Sequence, residues 1–138
     1  MSRLKWSEAN AIFVPEVDAE HRSLYLLASE LDEALASDAG AEQIDSKVRA
    51  LLAEVEDHFT HEERLMREAK YAMVDWHKGL HGTLRKRAAQ YAGRIHAGDR
   101  NAGSELLDFA TRWLKDHMAV ADKMMGAALR NHRRSHAA

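Results

Sequence analysis

With 138 residues, 46% hydrophobic and 30% charged, the chain suits one compact domain with a substantial core and is too apolar for a disordered segment. A net charge of −2, with nine histidines counted as neutral, gives no electrostatic reason to expect nucleic acid. The absence of cysteine excludes disulfides, thiolate metal sites and cysteine nucleophiles, so any metal must be held by nitrogen and oxygen.

Residues 1–17 are broken up by Arg3, Lys5, Glu8, Asn10 and Glu16, with no apolar run long enough for a signal peptide or a membrane span. The expectation is a cytoplasmic protein with no membrane partner. The segment lacks helical periodicity and contains Pro15. Trp6, Ile12, Phe13 and Val14 are apolar enough to pack, which predicts an extended arm lying on the body.

Asp18 can accept from free amides of a first helical turn and reads as an N-cap. A first helix over 19–37 then carries His21, Leu24, Tyr25, Ala28, Leu31 and Leu35 on one side. Ser37, Asp38 and Gly40 mark a turn. A second helix over 41–69 turns Ile44, Val48, Leu51, Leu52, Val55, Phe59, Leu65 and Met66 inward, with His58 and Glu62 in the same stripe. A third over 75–96 carries His77, Leu80, His81, Leu84, Ala88, Tyr91 and Ile95. Residues 98–103 form the clearest loop. A fourth helix over 104–130 presents Leu106, Leu107, Phe109, Ala110, Trp113, Leu114, His117, Val120, Ala121 and Met124. Residues 131–138 are basic, rich in histidine and expected to fray.

Four amphipathic helices with short loops predict an all-α, up-down-up-down four-helix bundle with an extended N-terminal arm, one domain over 1–138. Antiparallel neighbours bring His21, His58, the pair His77 and His81, and the pair His117 and Asp122 to one end of that bundle. His58 and Glu62 lie four apart on one helix face, so both side chains can point at one spot. His61, three after His58, competes with Glu62 for that direction, and geometry leaves the choice open. His117 and Asp122 are five apart and diverge by about 140° on an ideal helix, so Asp122 either reaches in from the side or sits on a loosened helix.

Five imidazoles and two carboxylates are too many donors for one ion and suit two. If both carboxylates and one solvent-derived oxygen bridge the pair, an ion with three imidazoles has six donors. Its neighbour with two has five, which leaves one position for a small diatomic ligand. Nitrogen and oxygen donors of this kind suit iron, manganese or zinc.

The order and spacing of these residues resemble the hemerythrins, most closely single-domain bacterial ones. The match covers nearly the whole chain: Asp18-x-x-His21, His58-Phe59-x-x-Glu62-Glu63-x-x-Met66, His77-x-x-x-His81, and Trp113-Leu114-x-x-His117-x-x-x-x-Asp122. The resemblance selects Glu62 over His61. It implies two non-heme Fe ions per chain, bridged by an oxo or hydroxo group, that bind O2 reversibly. His77, His81 and His117 would hold one iron and His21 and His58 the iron with the vacancy, with Glu62 and Asp122 bridging. By family position Leu24, Phe59, Trp113, Leu114 and Met118 would line the O2 pocket, and they serve equally as core. Met118 stands where the family often has isoleucine.

The leading expectation is therefore an oxygen-binding protein for storage or delivery, not an enzyme, with O2 as its partner. An O2 or redox-sensing module acting on a protein partner, and a di-iron oxidoreductase handling peroxide or nitric oxide, are the alternatives. Tyr25 is the one proton donor near the pocket stripes. Glu63 reads as solvated or as an outer partner of a ligand, Asp18 as a cap or outer partner. His96, His132 and His136 read as surface residues.

Overall fold

A computed structural model describes residues 5–136; the first four residues of the expected arm and the last two of the expected tail lie outside them. The helices are α1 (Pro15–Ala36), α2 (Ala41–Glu68), α3 (Val74–His96), α4 (Ala102–His117) and α5 (Lys123–Ser135), and a π-helical segment, Met118–Asp122, joins α4 to α5. His117, Met118, Asp122 and Lys123 keep right-handed helical angles at the two ends of that junction, so α4 and α5 are two halves of one long fourth helix. Each helix packs on its neighbour in the chain, and α1 closes the ring against α4. The bundle is the up-down-up-down one expected. No described helix is long and apolar enough to cross a membrane.

Three departures from the sequence reading have physical causes. Helix α1 starts at Pro15, four residues early, because proline at the first helical position has its φ already set and gives up no hydrogen bond there. Asp18 consequently lies inside the helix, and its two oxygens reach back to accept from the amides of Ile12 (2.9 Å) and Phe13 (3.0 Å). Second, the segment expected to fray is helical through Ser135, where Arg133 makes a two-pronged pair with Glu16 of α1. Third, Val120 and Met124, read as inward-facing, are 58% and 43% exposed, and Met125 is buried instead, while Ala121 and Met118 are buried as read. The π segment holds an extra residue per turn, which rotates every later side chain off the stripe extrapolated from α4.

The three interhelical turns share one construction. Asp38, Lys70 and Gly98 take positive φ of 55°, 54° and 92°. Each is followed by an amide that reaches back five residues: Ala39 to Ala34, Tyr71 to Met66 and Asp99 to Arg94, all at 3.0 Å. This six-to-one bond satisfies carbonyls that the ending helix leaves free. Only Gly98 has the residue type the left-handed conformation favours, which is why the α2–α3 turn had no sequence mark.

Two apolar clusters fill the interior. The larger includes Leu24, Leu31, Leu51, Phe59, Leu84, Leu106, Leu114 and Met118. The smaller joins Ile12, Val14 and Val17 to Met66, Met125 and Leu129. The arm is pinned over this smaller cluster: Arg130 donates to the Ile12 carbonyl and Lys123 to that of Ala9. Phe13, expected to pack, turns outward and is 67% exposed.

Candidate metal centre

Along every bundle helix a polar residue sits between the two clusters. On α1 it is His21, between Val17 and Leu24; on α2, Glu62, between Phe59 and Met66; on α3, His77 and His81, before Leu84; on the fourth helix, Asp122, between Met118 and Met125. His21, His58, Glu62, His77, His81, His117 and Asp122 are all buried. Seven titratable side chains thus form one layer, roofed by the main core and floored by the arm and α5.

The layer divides into two groups. His77, His81 and His117 converge with Glu62 and Asp122, and His21 and His58 converge with the same two carboxylates. In the first group His81 Nε2 lies 3.1 Å and His77 Nε2 3.4 Å from Glu62 Oε1. Asp122 Oδ1 is 3.0 Å from His117 Nε2 and 3.2 Å from His77 Nε2. In the second group His58 Nε2 is 2.9 Å and His21 Nε2 3.5 Å from Glu62 Oε2, and His21 Nε2 is 3.1 Å from Asp122 Oδ2. Each carboxylate therefore turns one oxygen to each group.

Asp122 reaches the layer because of the π segment, which brings a residue five positions on back to the face of His117. Of the two options the spacing left open, the loosened helix is the one found.

Two outer carboxylates fix the imidazoles. Glu63 Oε2 meets His81 Nδ1 at 2.8 Å and is itself held by Arg85 at 3.0 Å. Glu20 Oε1 meets His58 Nδ1 at 2.8 Å, and its other oxygen meets His61 Nδ1 at 2.7 Å. An ionised carboxylate only accepts, so both site histidines carry a proton on Nδ1 and turn Nε2 to the centre, where a metal ion would take the place of any proton. His61 faces Glu20 and is absent from both groups. Glu63 is the outer partner that the sequence allowed for, Asp18 serves the arm instead, and Glu20 was not foreseen. His96 is exposed on the surface, as read.

Electrostatics alone do not account for the arrangement. Burial pushes the His58 imidazole down, yet Glu62 and Glu20 overcome it and hold the group up to about 10. Burial likewise opposes His77, which Asp122 and Glu62 hold up to about 9. Burial pushes His117 down, and Asp122 fails to offset it. Burial and the charge of Glu62 both push Asp122 up, but three imidazoles hold it well below the usual carboxylate range. Even so, no oxygen of Glu62 or Asp122 accepts a hydrogen bond of normal geometry among the described residues, nor does Nε2 of His21 or His81 find a partner. Buried polar groups without partners are rare and need a cause.

Metal ions held between these groups would supply that cause. His77 and His117 bring their Nε2 atoms to 3.2 Å of each other. Two donors at right angles on one ion, with metal–nitrogen bonds of about 2.1 Å, lie about 3.0 Å apart. The orphaned oxygens, the inward-facing Nε2 atoms and this spacing all fit metal, and the donor set of imidazole and carboxylate fits iron, manganese or zinc.

Aromatic rings cover the layer. Phe59 stacks on His81 with centroids 3.8 Å apart and planes 3° from parallel, and Trp113 stacks on His117 at 4.4 Å. Leu24, Phe59, Leu114 and Met118 are buried in the main core and Trp113 is partly buried against it. A groove of about 220 Å³, lined by Trp76, Leu80, Trp113, Val120 and Ala121, reaches His117 from outside.

Residues 13–129 match the family model described as the hemerythrin HHE cation binding domain. The chain is 31% identical over 135 residues to a bacteriohemerythrin of Stenotrophomonas maltophilia, across 96% of this chain and 85% of that protein. A bacteriohemerythrin of Methylococcus capsulatus is 28% identical across 94% of this chain and 98% of its own. A myohemerythrin of Theromyzon tessulatum is 26% identical across 86% and 87%. Crystal structures of two hemerythrin mutants each superpose with a TM-score of 0.87 at 26% identity, over 94% of this chain and 98% of theirs.

Proposed function

The chain belongs to the hemerythrin family, and on that premise we propose that it binds O2 reversibly at two non-heme iron ions, for storage or delivery of oxygen. His77, His81 and His117 would hold one iron, His21 and His58 the other, and Glu62 and Asp122 would bridge them. The observation that carries this reading is the split of the carboxylate oxygens, one from each residue to each histidine group. The unequal imidazole count, three against two, leaves the second group one donor short, where a diatomic ligand would enter. When bound in the reduced state, the iron pair supplies the electrons on which O2 binding draws.

The chain's own residues do the rest. Glu20 and Glu63 keep the Nδ1 proton of His58 and His81 and so aim Nε2 inward. Leu24, Phe59, Leu114 and Met118, with Trp113, wall the layer in apolar contacts and exclude water. Five neutral imidazoles against two carboxylates make a donor set poorer in negative charge than the four-glutamate, two-histidine bundles, which favours binding over further oxidation. Tyr25 is buried, and burial together with the Asp122 charge holds its hydroxyl in the neutral form, a poor source of protons.

The test is a gas cycle. Iron-loaded, fully reduced protein exposed to air should develop visible charge-transfer bands that fade when oxygen is removed, over repeated cycles. Bands that never return, with peroxide released, would turn the reading to an oxidoreductase. One zinc per chain, or no metal, would remove it.

A further inference from the structure

We propose that His132 and His136 form a second, surface metal site, separate from the buried centre, that takes an imidazole-preferring divalent ion such as nickel, copper or zinc. His132 lies in the last turn of α5 and His136, four residues on, caps its end, with ring centroids 4.1 Å apart and planes 33° from parallel. Positions four apart on a helix share one face, so two imidazoles can reach one ion from consecutive turns.

The tautomer supports the assignment. His136 Nδ1 lies 2.8 Å from the backbone carbonyl oxygen of His132. A carbonyl only accepts, so that nitrogen carries the proton and Nε2 of the neutral ring keeps its lone pair. A ring nitrogen tied to a backbone carbonyl is the usual means by which a metal-binding histidine is oriented through its other nitrogen. The hydrogen bond also holds His136 against the helix end, which lowers the entropy cost of gathering two side chains.

The surroundings offer room. His132 and His136 line a surface groove of about 330 Å³ with Leu65, Glu68 and Leu129, and Glu68 pairs with Arg64 at 3.8 Å. Arg133 lines the same groove, but Glu16 engages its guanidinium at 2.7 and 3.0 Å and neutralises it locally. Leu129, Met125 and Met66 stand between this groove and the buried layer, so an ion here would share no donor with Glu62 or Asp122. Two imidazoles on an exposed helix face make an exchangeable site rather than a structural one.

The full-length chain would be titrated with nickel ion by calorimetry, as wild type and as His132→Gln, His136→Gln and His96→Gln. The count is read as the difference between wild type and the single variants, so it stands whether or not the buried layer carries iron. Wild type and His96→Gln should bind one more equivalent than the other two, or bind it at least tenfold more tightly. All four chains giving the same isotherm would overturn the site. So would a loss in His96→Gln equal to that in the other variants.

Discussion

Asp122 lies 3.0 Å from His117 although the two are five residues apart, because the helix between them widens into a π turn. Five residues of ordinary α-helix would point them about 140° apart. The π turn therefore exists for the site, and ligands on it should hold it closed. Amide exchange at residues 118–122 should slow on iron loading by more than exchange at 104–114, read by mass spectrometry. Equal protection of both segments would contradict the link.

The histidine sets can be tested one residue at a time. His77→Ala and His117→Ala each remove one of three imidazoles from the first group and should lower bound iron from about two per chain to one or none. His96→Ala, on the surface, should leave iron content unchanged. Iron analysis of the purified variants decides it, and equal loss in all three would refute the assignment.

Glu20 divides its two oxygens between His58 and His61, at 2.8 and 2.7 Å. Glu20→Gln keeps one accepting oxygen and replaces the other with an NH2 that cannot accept. Loss of an outer partner costs about 10 to 100-fold in metal affinity. Iron release to a chelator should accelerate by about that factor in Glu20→Gln and much less in His61→Gln, which leaves the His58 bond intact. Wild-type release in Glu20→Gln would show that His58 needs no support.

These residues also mark how far the sequence could be read. The bundle and the five layer histidines were legible because apolar periodicity names an inward face and antiparallel packing sets depth, whereas Glu62 over His61, and Asp122, rested on the resemblance to the hemerythrins. Val120 and Met124 were misplaced because a π turn leaves no compositional trace while shifting every later residue. Helix α1 was started late because Asp18 looks like a cap, and its role as an acceptor for Ile12 and Phe13 needs the arm's path. Glu20 was missed because it sits about 100° off the stripe of α1. Its signal was there: the residue before His21 faces α2, and antiparallel pairing puts it level with His58.

Protonation and metal should act on stability in opposite directions as pH rises. In the metal-free chain burial disfavours charge on His58 and His77, but Glu62 and Glu20 hold His58 up to about 10, and Asp122 and Glu62 hold His77 up to about 9. A histidine raised above its unfolded value of about 6.5 contributes stability that is complete below that pH and lost as pH climbs through the folded value. The metal-free protein should thus lose stability from about pH 6.5 toward pH 10. Glu62 and Asp122, held low, contribute stability present above about pH 4.5 and lost as pH falls. Metal displaces the imidazole protons, so its binding tightens with rising pH. The Tm difference between loaded and metal-free protein should widen between about pH 6 and 9, and parallel curves would count against imidazole ligation.

Gly126 ties the arm to the layer's floor. A Cβ there would meet Ile12 Cβ at 2.9 Å and its carbonyl oxygen at 3.0 Å. Ile12 cannot yield freely, since Asp18 holds its amide and Arg130 its carbonyl. Gly126→Ala must lift the arm, at about 1 to 3 kcal/mol for an overpacked interior. Gly79, in the second turn of α3, has nothing within 4 Å of such a Cβ. Gly79→Ala should raise stability by up to about 1 kcal/mol through helix propensity alone. Denaturant unfolding of both variants reads the stabilities. Because Ile12 shares its cluster with Val17, which lies one turn before His21 on α1, Gly126→Ala should also release iron faster to a chelator, whereas Gly79→Ala should not. A destabilised Gly126→Ala chain that keeps wild-type iron release would show that the arm supports the fold without sealing the site.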